Sequence, residues 1–277
     1  MMAAPGKPCA ATEPGGLCAC LPDVTPDRMR LRERFIKTHL AAVDHFTAPS
    51  AFLRQAYVGW GLPARDITLV PNGRPQGELA PPRRLPLDRR NVFGYFGNLT
   101  PWKGVAVLLR ACRRLIEAGV EFELRVHGGS PFQSEEFVAE IERLFEETSA
   151  RVVRLGPYRQ QDLPRLMGEV DWVVMPSVWW ENAPLVIGEA RLHRRPVIAS
   201  GIGGMAEAVK DGVDGLHVRP NDPADLARVM ERAAGDVDLH RRLAAQIRQP
   251  PTVDAVAGRL LQLFADLRRE PADDAAA

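Results

Sequence analysis

The sequence predicts an α/β protein built on a doubly wound, Rossmann-like parallel sheet. Between residues 91 and 236, short apolar runs typical of strands alternate with longer amphipathic runs typical of helices. The hydrophobic period switches between about 2 and about 3.6 residues along this region, and the turns between the runs are short. Strands and helices that alternate in this way form a parallel sheet with helices on both faces.

The individual elements follow from these runs. Strands are predicted at 92–97, 122–128, 151–156, 171–177, 196–200 and 215–220. Helices are predicted at 103–118, 134–148, 160–169, 182–194, 205–211 and 222–234. The last of these helices has the clearest start, because Asp222 is a good N-cap and Pro223 suits the first helical position.

The flanking regions read differently. The segment at 74–90 is rich in Pro and Arg, cannot hold a regular element and is therefore predicted to be a linker. Before it, 1–73 reads as the remnant of a second unit, with a loop at 1–27, a helix at 27–42, a strand at 44–48, a helix opened by Ser50, a turn at 61–63 and a strand ending at 71–73. After the sheet at 91–236 we expect C-terminal helices at 237–247 and 253–269 and a disordered tail at 270–277.

Composition limits the possible partners. The net charge is only +1, which argues against a nucleic-acid binder, because such a surface releases few phosphate counterions. The sequence contains no apolar stretch long enough for a membrane span and no secretory leader. We therefore expect a cytoplasmic location.

Four cysteines raise the question of a metal. Cys9, Cys18 and Cys20 lie in a Gly/Pro-rich segment, but their spacing is not a paired CxxC and no histidine is near, so no metal site is predicted. Cys112 lies in a helical pattern and is expected to be a small core residue.

Two of the predicted strand-to-helix turns suggest an anionic ligand. In "FGNLTPWKGV", Lys103 opens a helix and opposes its dipole, so an anion explains it better than helix stability does; an exposed charge is the alternative. In "VHGGSP", Gly128 and Gly129 let a ligand approach the backbone closely, although tight-turn geometry explains them equally well.

The stretch "WWENAPLVIGEA" contains two carboxylates, Glu181 and Glu189. If it is helical from about Asn182, one face contains Leu185, Gly188, Glu189 and Leu192, and that face should look inward. A buried carboxylate needs a partner or a ligand. The alternatives are compensation of the helix dipole by Glu181 and an ion pair with an arginine for Glu189.

A glycine-rich turn completes the pattern. In "ASGIGGMAEAV", Gly201, Gly203 and Gly204 lie between a strand and a helix, where such a turn forms a nest of N–H groups suited to phosphate. The GxGxxG fingerprint of dinucleotide binding is missing, which disfavours an NAD-dependent oxidoreductase. A lysine, two carboxylates and a glycine nest at one sheet edge match a nucleoside-diphosphate sugar, which joins a diphosphate to hydroxyl-rich groups.

From about residue 44 to 234 the chain resembles the family 4 retaining glycosyltransferases of the GT-B fold. "APSAFLRQAYVGWGL" and "ITLVPNG" resemble the end of the acceptor domain and its linker, and "FGNLTPWKGVAVLLRA" resembles the opening of the donor domain. "PSVWWENAPLVIGEA" resembles the two-glutamate motif of the family, and "PVIASGIGGMAEAVKDGVDGLHV" its glycine loop.

The resemblance implies a role for each site residue. It implies that Glu181 contacts donor-sugar hydroxyls, Glu189 the ribose hydroxyls and Lys103 the diphosphate, with Glu181 and Lys103 as the catalytic residues. The remaining donor contacts that it implies are Asn98, Gly128, Gly129, Asn182, Ala183, Pro184, Leu185, Gly203 and Gly204. Asn98 stands where the family usually has an arginine, so one cation of the diphosphate clamp is missing.

The resemblance also implies an activity. It is the transfer of a sugar from a UDP- or GDP-linked donor, with retained anomeric configuration and with no metal or further cofactor, to a sugar or glycolipid acceptor in cell-envelope or polysaccharide assembly. Because most of the acceptor domain is absent, we expect the chain to be weak or inactive alone. A non-catalytic nucleotide-sugar-binding module is the alternative, and peripheral contact with the inner face of a membrane and a separate acceptor-domain partner remain open.

Overall fold

A computed structural model of the protein describes residues 2–4, 7–8, 25–75, 77, 79–80 and 89–269. Its strands are β1 (Met2–Ala4), β2 (Lys7–Pro8), β3 (Phe46–Ala48), β4 (Ile67–Leu69), β5 (Val92–Phe96), β6 (Glu123–His127), β7 (Val152–Gly156), β8 (Trp172–Met175), β9 (Val197–Ser200) and β10 (Gly215–Val218). Its α-helices are α1 (Pro26–Leu40), α2 (Ala51–Gly59), α3 (Val105–Glu117), α4 (Glu135–Thr148), α5 (Leu163–Gly168), α6 (Leu185–Leu192), α7 (Gly203–Ala208), α8 (Pro223–Gly235), α9 (Val237–Gln246) and α10 (Val253–Arg269).

Six strands form one parallel sheet in the order β10-β9-β8-β5-β6-β7. The chain runs outward from β5 through β6 to β7, then returns to the other side of β5 and continues through β8 and β9 to β10. The strand order therefore reverses between β5 and β8. Open α/β sheets bind their ligands at such a switch point, beyond the carboxyl ends of the strands.

Helices cover both faces of the sheet, as predicted. One face packs in a large core with α3, α4, α8 and α9, and the other face packs in a second core with α5, α6 and α7. All five residues of β5 are buried, which explains why the central strand reads as a continuous apolar run. The predicted doubly wound fold class is confirmed.

Some predicted bounds are wrong for local reasons. The helix predicted from Asn182 begins at Leu185, because Pro184 takes the N-cap position with extended backbone. The helix predicted at 160–169 is divided into a single 3₁₀ turn, Gln160–Asp162, and the short α5. The loop predicted at 1–27 contains the antiparallel pair β1 and β2, which is too short for a pattern of period 2 to reveal.

A second, smaller unit precedes the sheet. The parallel strands β3 and β4 pack with α2 around a small core that includes Ala48, Leu62 and Ile67. Ser50 caps α2 as predicted, since its Oγ accepts the N–H of Leu53 at 3.1 Å. The cysteines at 9, 18 and 20, the tail at 270–277 and most of the linker predicted at 74–90 lie outside the described residues.

Candidate active site

The loops that follow β5 and β8 are tied together at the switch point. The N–H of Val178 donates to the carbonyl oxygen of Trp102 at 2.9 Å. Gly104 has a φ of 71°, and a Cβ there would overlap the carbonyl oxygen of Pro176. Only glycine suits this position, so the Lys103-Gly104 sequence places the lysine directly against the loop that follows β8.

Lys103 and Glu181 form an ion pair at this junction. Lys103 Nζ lies 2.7 Å from Glu181 Oε1, and Ser177 Oγ donates to the same carboxylate oxygen at 3.0 Å. Lys103 is not inside α3 as predicted. It ends the single 3₁₀ turn Pro101–Lys103, which Thr100 caps. The exposed fractions of the side chains are 38% for Lys103 and 13% for Glu181, so a ligand can reach the pair.

Glu189 lies further along the chain, inside α6, and contacts a different loop. It is buried in α6, and its carboxylate accepts a hydrogen bond from Gln160 Nε2 at 3.1 Å. No described arginine forms an ion pair with Glu189. The charge of Glu189 acts at longer range on Arg74, where it opposes the lowering of the guanidinium pKa by burial. Burial and the charge of Glu189 raise the pKa of the nearby Tyr158 to about 12.

The later start of α6 changes the predicted inward face. Leu185 was expected to look inward but is exposed, whereas Ile187 and Ala190 pack in the core beside Glu189. No side chain caps the first turn of α6, and the same is true of α3. In α6 the N–H of Ile187 donates to the carbonyl oxygen of Pro184 at 3.3 Å, and the N–H groups of the residues before it, like those at the start of α3, remain available to an anion.

The lead-in to α6 is fixed from two sides. Asn72 Nδ2 donates to the carbonyl oxygen of Ala183 at 3.2 Å, and the N–H of Gly204 donates to the carbonyl oxygen of Glu181 at 2.6 Å. A Cβ at Gly204 would overlap the carbonyl of Asn182. The amide of Gly204 is thus engaged by the protein, and its contact with a donor phosphate stays a prediction.

Gly203 and the turn after β6 are also closely packed. Gly203 has a φ of 56°, and a Cβ there would lie 3.2 Å from the Trp180 Cα. A Cβ at Gly128 would overlap the carbonyl oxygen of Gly97, and Gly129 accepts the N–H of Leu99 at 2.8 Å. These glycines bring neighbouring loops together along the sheet edge. Asn98 is exposed in the loop after β5, and its carbonyl accepts the Tyr95 hydroxyl at 2.8 Å.

The model of the family Glycosyl transferases group 1 matches residues 90–236, which is more than half of the chain. The chain belongs to this family. The sheet described above is its donor half, in a GT-B architecture.

Curated relatives agree with this assignment. D-inositol 3-phosphate glycosyltransferase of Nocardia farcinica is 31% identical over 225 residues, which cover 76% of this chain and 49% of the relative. The enzyme of the same name from Thermomonospora curvata is 32% identical over 223 residues, 75% of this chain and 51% of the relative. Alpha-D-kanosaminyltransferase of Streptomyces kanamyceticus is 28% identical over 163 residues, 58% of this chain and 41% of the relative. The chain spans about half the length of the curated relatives it matches.

Among solved structures, Anabaena Alr3699/HepE in complex with UDP and glucose matches with a TM-score of 0.72 at 23% identity, over 87% of this chain and 68% of that one. Sucrose-phosphate synthase of Thermosynechococcus elongatus matches with a TM-score of 0.68 at 25% identity, over 86% of this chain and 62% of that one. At the identity of the HepE match, the likeness shows the fold alone.

In this member of the glycosyl transferase family, four buried side-chain polar atoms of the described residues lack a hydrogen-bond partner. Three of them follow or end strands of the sheet, and the fourth, Arg74 Nε, lies in the segment before it. His127 ends β6, stacks on Phe96 at 4.8 Å and is 3% exposed, and its Nε2 has no hydrogen-bond partner among the described residues. Burial lowers the pKa of this imidazole, which favours the neutral form. Trp180 Nε1 and Ser200 Oγ, near the ends of β8 and β9, are unpaired in the same way. Unpaired buried polar atoms are rare, so their concentration here points to a site for a polar ligand.

Sequence reasoning missed His127, although a histidine between an apolar strand and Gly128-Gly129 was a usable signal. Within the described residues, no group of three metal-ligating side chains occurs. No described helix is long and apolar enough to cross a lipid bilayer. Cys112 is fully buried in α3, as predicted.

Proposed function

We propose that the chain binds a nucleoside-diphosphate sugar, with UDP as the nucleotide, and transfers the sugar with retained configuration to a sugar or glycolipid acceptor. The observation on which this rests is the Lys103–Glu181 pair at the switch point of a glycosyl transferase sheet. The UDP complex of HepE and the names of the curated relatives support the choice of substrates.

The ion pair suits a donor that has both a diphosphate and a sugar. As the donor binds, its diphosphate replaces Glu181 as the counter-ion of Lys103, and the released carboxylate accepts hydrogen bonds from sugar hydroxyls. Glu189 takes the ribose hydroxyls in place of Gln160. The free N–H groups at the start of α3 lie near the same anion.

Catalysis then depends on charge. When the bond between the anomeric carbon and the diphosphate oxygen breaks, negative charge grows on the diphosphate, and the ammonium of Lys103 stabilises that state more than the ground state. Because Asn98 is neutral, Lys103 supplies positive charge that an arginine would otherwise share. A hydrogen bond to a charged group contributes about 1.5–3 kcal/mol.

Calorimetry with the full chain tests the proposal. The ligands are uridine, UDP and UDP-glucose, and the variants are Glu189→Gln and Glu181→Gln. Glu189→Gln should lower the affinity for all three ligands about tenfold, because each ligand contains the ribose. Glu181→Gln should lower the affinity for UDP-glucose but not for UDP, because it removes a charged acceptor for the sugar hydroxyls and frees Lys103 for the diphosphate.

The exposed Glu231 of α8 offers a matched control, and Glu231→Gln should change none of the affinities. Unchanged uridine binding in Glu189→Gln would contradict the ribose assignment. A glucose-release assay with UDP-glucose completes the test, since a chain that binds the donor tightly and never releases or transfers glucose is a binding module rather than a transferase.

A further inference from the structure

Two exposed indoles stand beside the Lys103–Glu181 pair. Trp102 directly precedes Lys103, and Trp179 lies two residues before Glu181. The two rings are 6.4 Å apart between centroids, and 49% of Trp102 and 37% of Trp179 is exposed. A patch of exposed aromatic surface next to a binding site usually marks a contact for a ligand or partner.

The positions of the two rings are fixed by the protein. Trp102 belongs to the capped 3₁₀ turn, and its carbonyl accepts the N–H of Val178. Val178 itself is 3% exposed and lies in the larger core, and the carbonyl of Trp179 accepts the N–H of Glu181 at 3.0 Å. The backbone of the pair is therefore already ordered, and a ligand that binds it loses little of its binding energy to ordering the protein.

Internal packing does not explain the exposed pair. The neighbouring Trp180 stacks on Phe52 of α2 with centroids 5.6 Å apart and planes within 6°, so this ring joins the two units of the protein. Trp102 and Trp179 have ring contacts with each other but with no other aromatic side chain of the described residues. The exposed surface of these two rings is therefore open to a ligand.

We propose that Trp102 and Trp179, whose ring planes are tilted by 59°, form a platform for a pyranose ring of the acceptor, with one indole stacked on a face of the sugar and the other against its edge. An aromatic ring has a negative face, which attracts the partly positive C–H groups on one face of a pyranose, while the hydroxyls at the rim of the sugar stay in water. The platform is continuous with the proposed donor site, on the loops that hold Lys103 and Glu181. The role as an acceptor subsite rests on the proposed function.

The neighbouring charges favour a neutral sugar over a charged peptide. Lys103 and Glu181 neutralise each other in the unliganded protein. When the donor binds, its diphosphate takes over the pairing with Lys103, and the released carboxylate of Glu181 offers acceptors for hydroxyls beside the apolar surface of the two rings. Ligand sites for small molecules commonly combine aromatic walls with a few polar groups in this way.

Nuclear magnetic resonance of the full chain tests the platform. The protein has five tryptophans, so ¹⁵N-indole labelling gives a spectrum in which Trp102→Phe and Trp179→Phe assign the two signals. Methyl α-D-glucopyranoside and methyl β-D-galactopyranoside are titrated into protein saturated with UDP, and glycerol, which has hydroxyls but no ring face, is the control ligand. The two assigned signals should shift with the pyranosides and not with glycerol.

The variants Trp102→Ala and Trp179→Ala should each weaken pyranoside binding about 3- to 10-fold, whereas the phenylalanine variants should retain most of it. Phe264→Ala, which removes an exposed aromatic ring from α10, should have no effect. Indole signals that do not move at high pyranoside concentration, or that move equally with glycerol, would overturn the proposal. So would shifts caused by phosphatidylglycerol vesicles but not by pyranosides, which would make the pair a membrane contact.

Calorimetry with UDP on the same samples separates the two proposals. If UDP fails to bind while the pyranosides still shift both indoles, the donor assignment is lost and the sugar platform stands. If UDP binds and the pyranosides do not, the platform is wrong and the donor site stands.

Discussion

The two units of this protein are stabilised in different ways. The sheet of β5 to β10 has helices on both faces and two cores, whereas β3, β4 and α2 surround only a small cluster of apolar residues. The smaller unit is joined to the sheet by polar contacts and by the stacked rings of Phe52 and Trp180. A unit with so little apolar burial depends on its neighbour for order.

The polar contacts that join the sheet to the preceding chain end on α7 and at the start of α6. Glu207 in α7 accepts the N–H groups of Ala51 and Phe52 at 2.8 and 2.6 Å. Arg74 donates to the carbonyl oxygen of Leu185 at 2.9 Å, and its main chain pairs with Thr252 at the start of α10. Contacts from the segment before the sheet thus support the start of α6, while the sheet supplies the residues that we propose contact the donor.

The largest expected effect separates the sheet from the smaller unit. Leu108→Ala, in α3, should lower the free energy of unfolding of the sheet by about 3–5 kcal/mol, because it removes a fully buried side chain from the larger core. Ile67→Ala, in β4, should leave the urea midpoint of the sheet nearly unchanged and speed hydrogen exchange at 46–69, because it opens only the smaller unit. Equal losses in the two variants would show that the chain unfolds as one cooperative unit.

The next effect is a pH dependence of the sheet. Burial beside Trp172 lowers the pKa of His240 to about 4, against the opposing effect of the hydrogen bond that Nε2 donates to the carbonyl of Asp171 at 3.1 Å. The neutral form is therefore favoured in the folded state. The contribution of His240 to the free energy of unfolding is complete above pH 6.5, the ordinary pKa of histidine. It is lost as the pH falls from 6.5 to about 4, because in this range only the unfolded chain takes up the proton.

Lowering the pKa of His240 from 6.5 to about 4 corresponds to a change of roughly 3 kcal/mol in the free energy of unfolding. Urea unfolding between pH 7 and pH 4 measures it, and His240→Phe should flatten the profile. His39→Ala, which removes an exposed imidazole from α1, should give the same dependence of stability on pH as the unsubstituted protein. A profile that is equally steep in His240→Phe would assign the dependence to other groups.

A smaller effect tests the connection between the units. Glu207→Ala removes the carboxylate that accepts two N–H groups at the start of α2, and should reduce the stability of that helix against local opening by about 1–2 kcal/mol. Hydrogen exchange at Ala51–Gly59 measures it, with Glu231→Ala as the control. Unchanged exchange in α2 would mean that the stacked rings alone hold the smaller unit.

The sequence was informative where a local pattern determines the structure. The six strands of the sheet appear where apolar runs predicted them, and Asp222 and Ser50 cap their helices as expected. The start of α6 was misplaced because Pro184 was read as part of the helix rather than its cap. Leu185 consequently faces solvent.

The site was predictable only in part. The candidate residues were identified because the turns of a doubly wound sheet were searched for charge and glycine, and their contact with a donor stays a prediction. Their partners within the protein were not predicted. Lys103 and Glu181 are 78 residues apart, and Gln160 and Glu189 are 29 apart, so only the order of the strands brings them together. The role of Gly204 in packing against Asn182 likewise depends on a contact between two loops.

The most direct test of the account compares UDP with UMP, which lacks the second phosphate. In the unsubstituted protein UDP should bind about tenfold or more tightly than UMP, the value of one hydrogen bond to a charged group. In Lys103→Met the account predicts that this ratio falls severalfold, with the helix N–H groups holding what remains, while UMP affinity is unchanged. A ratio that persists undiminished in Lys103→Met would contradict the assignment of Lys103 to the diphosphate.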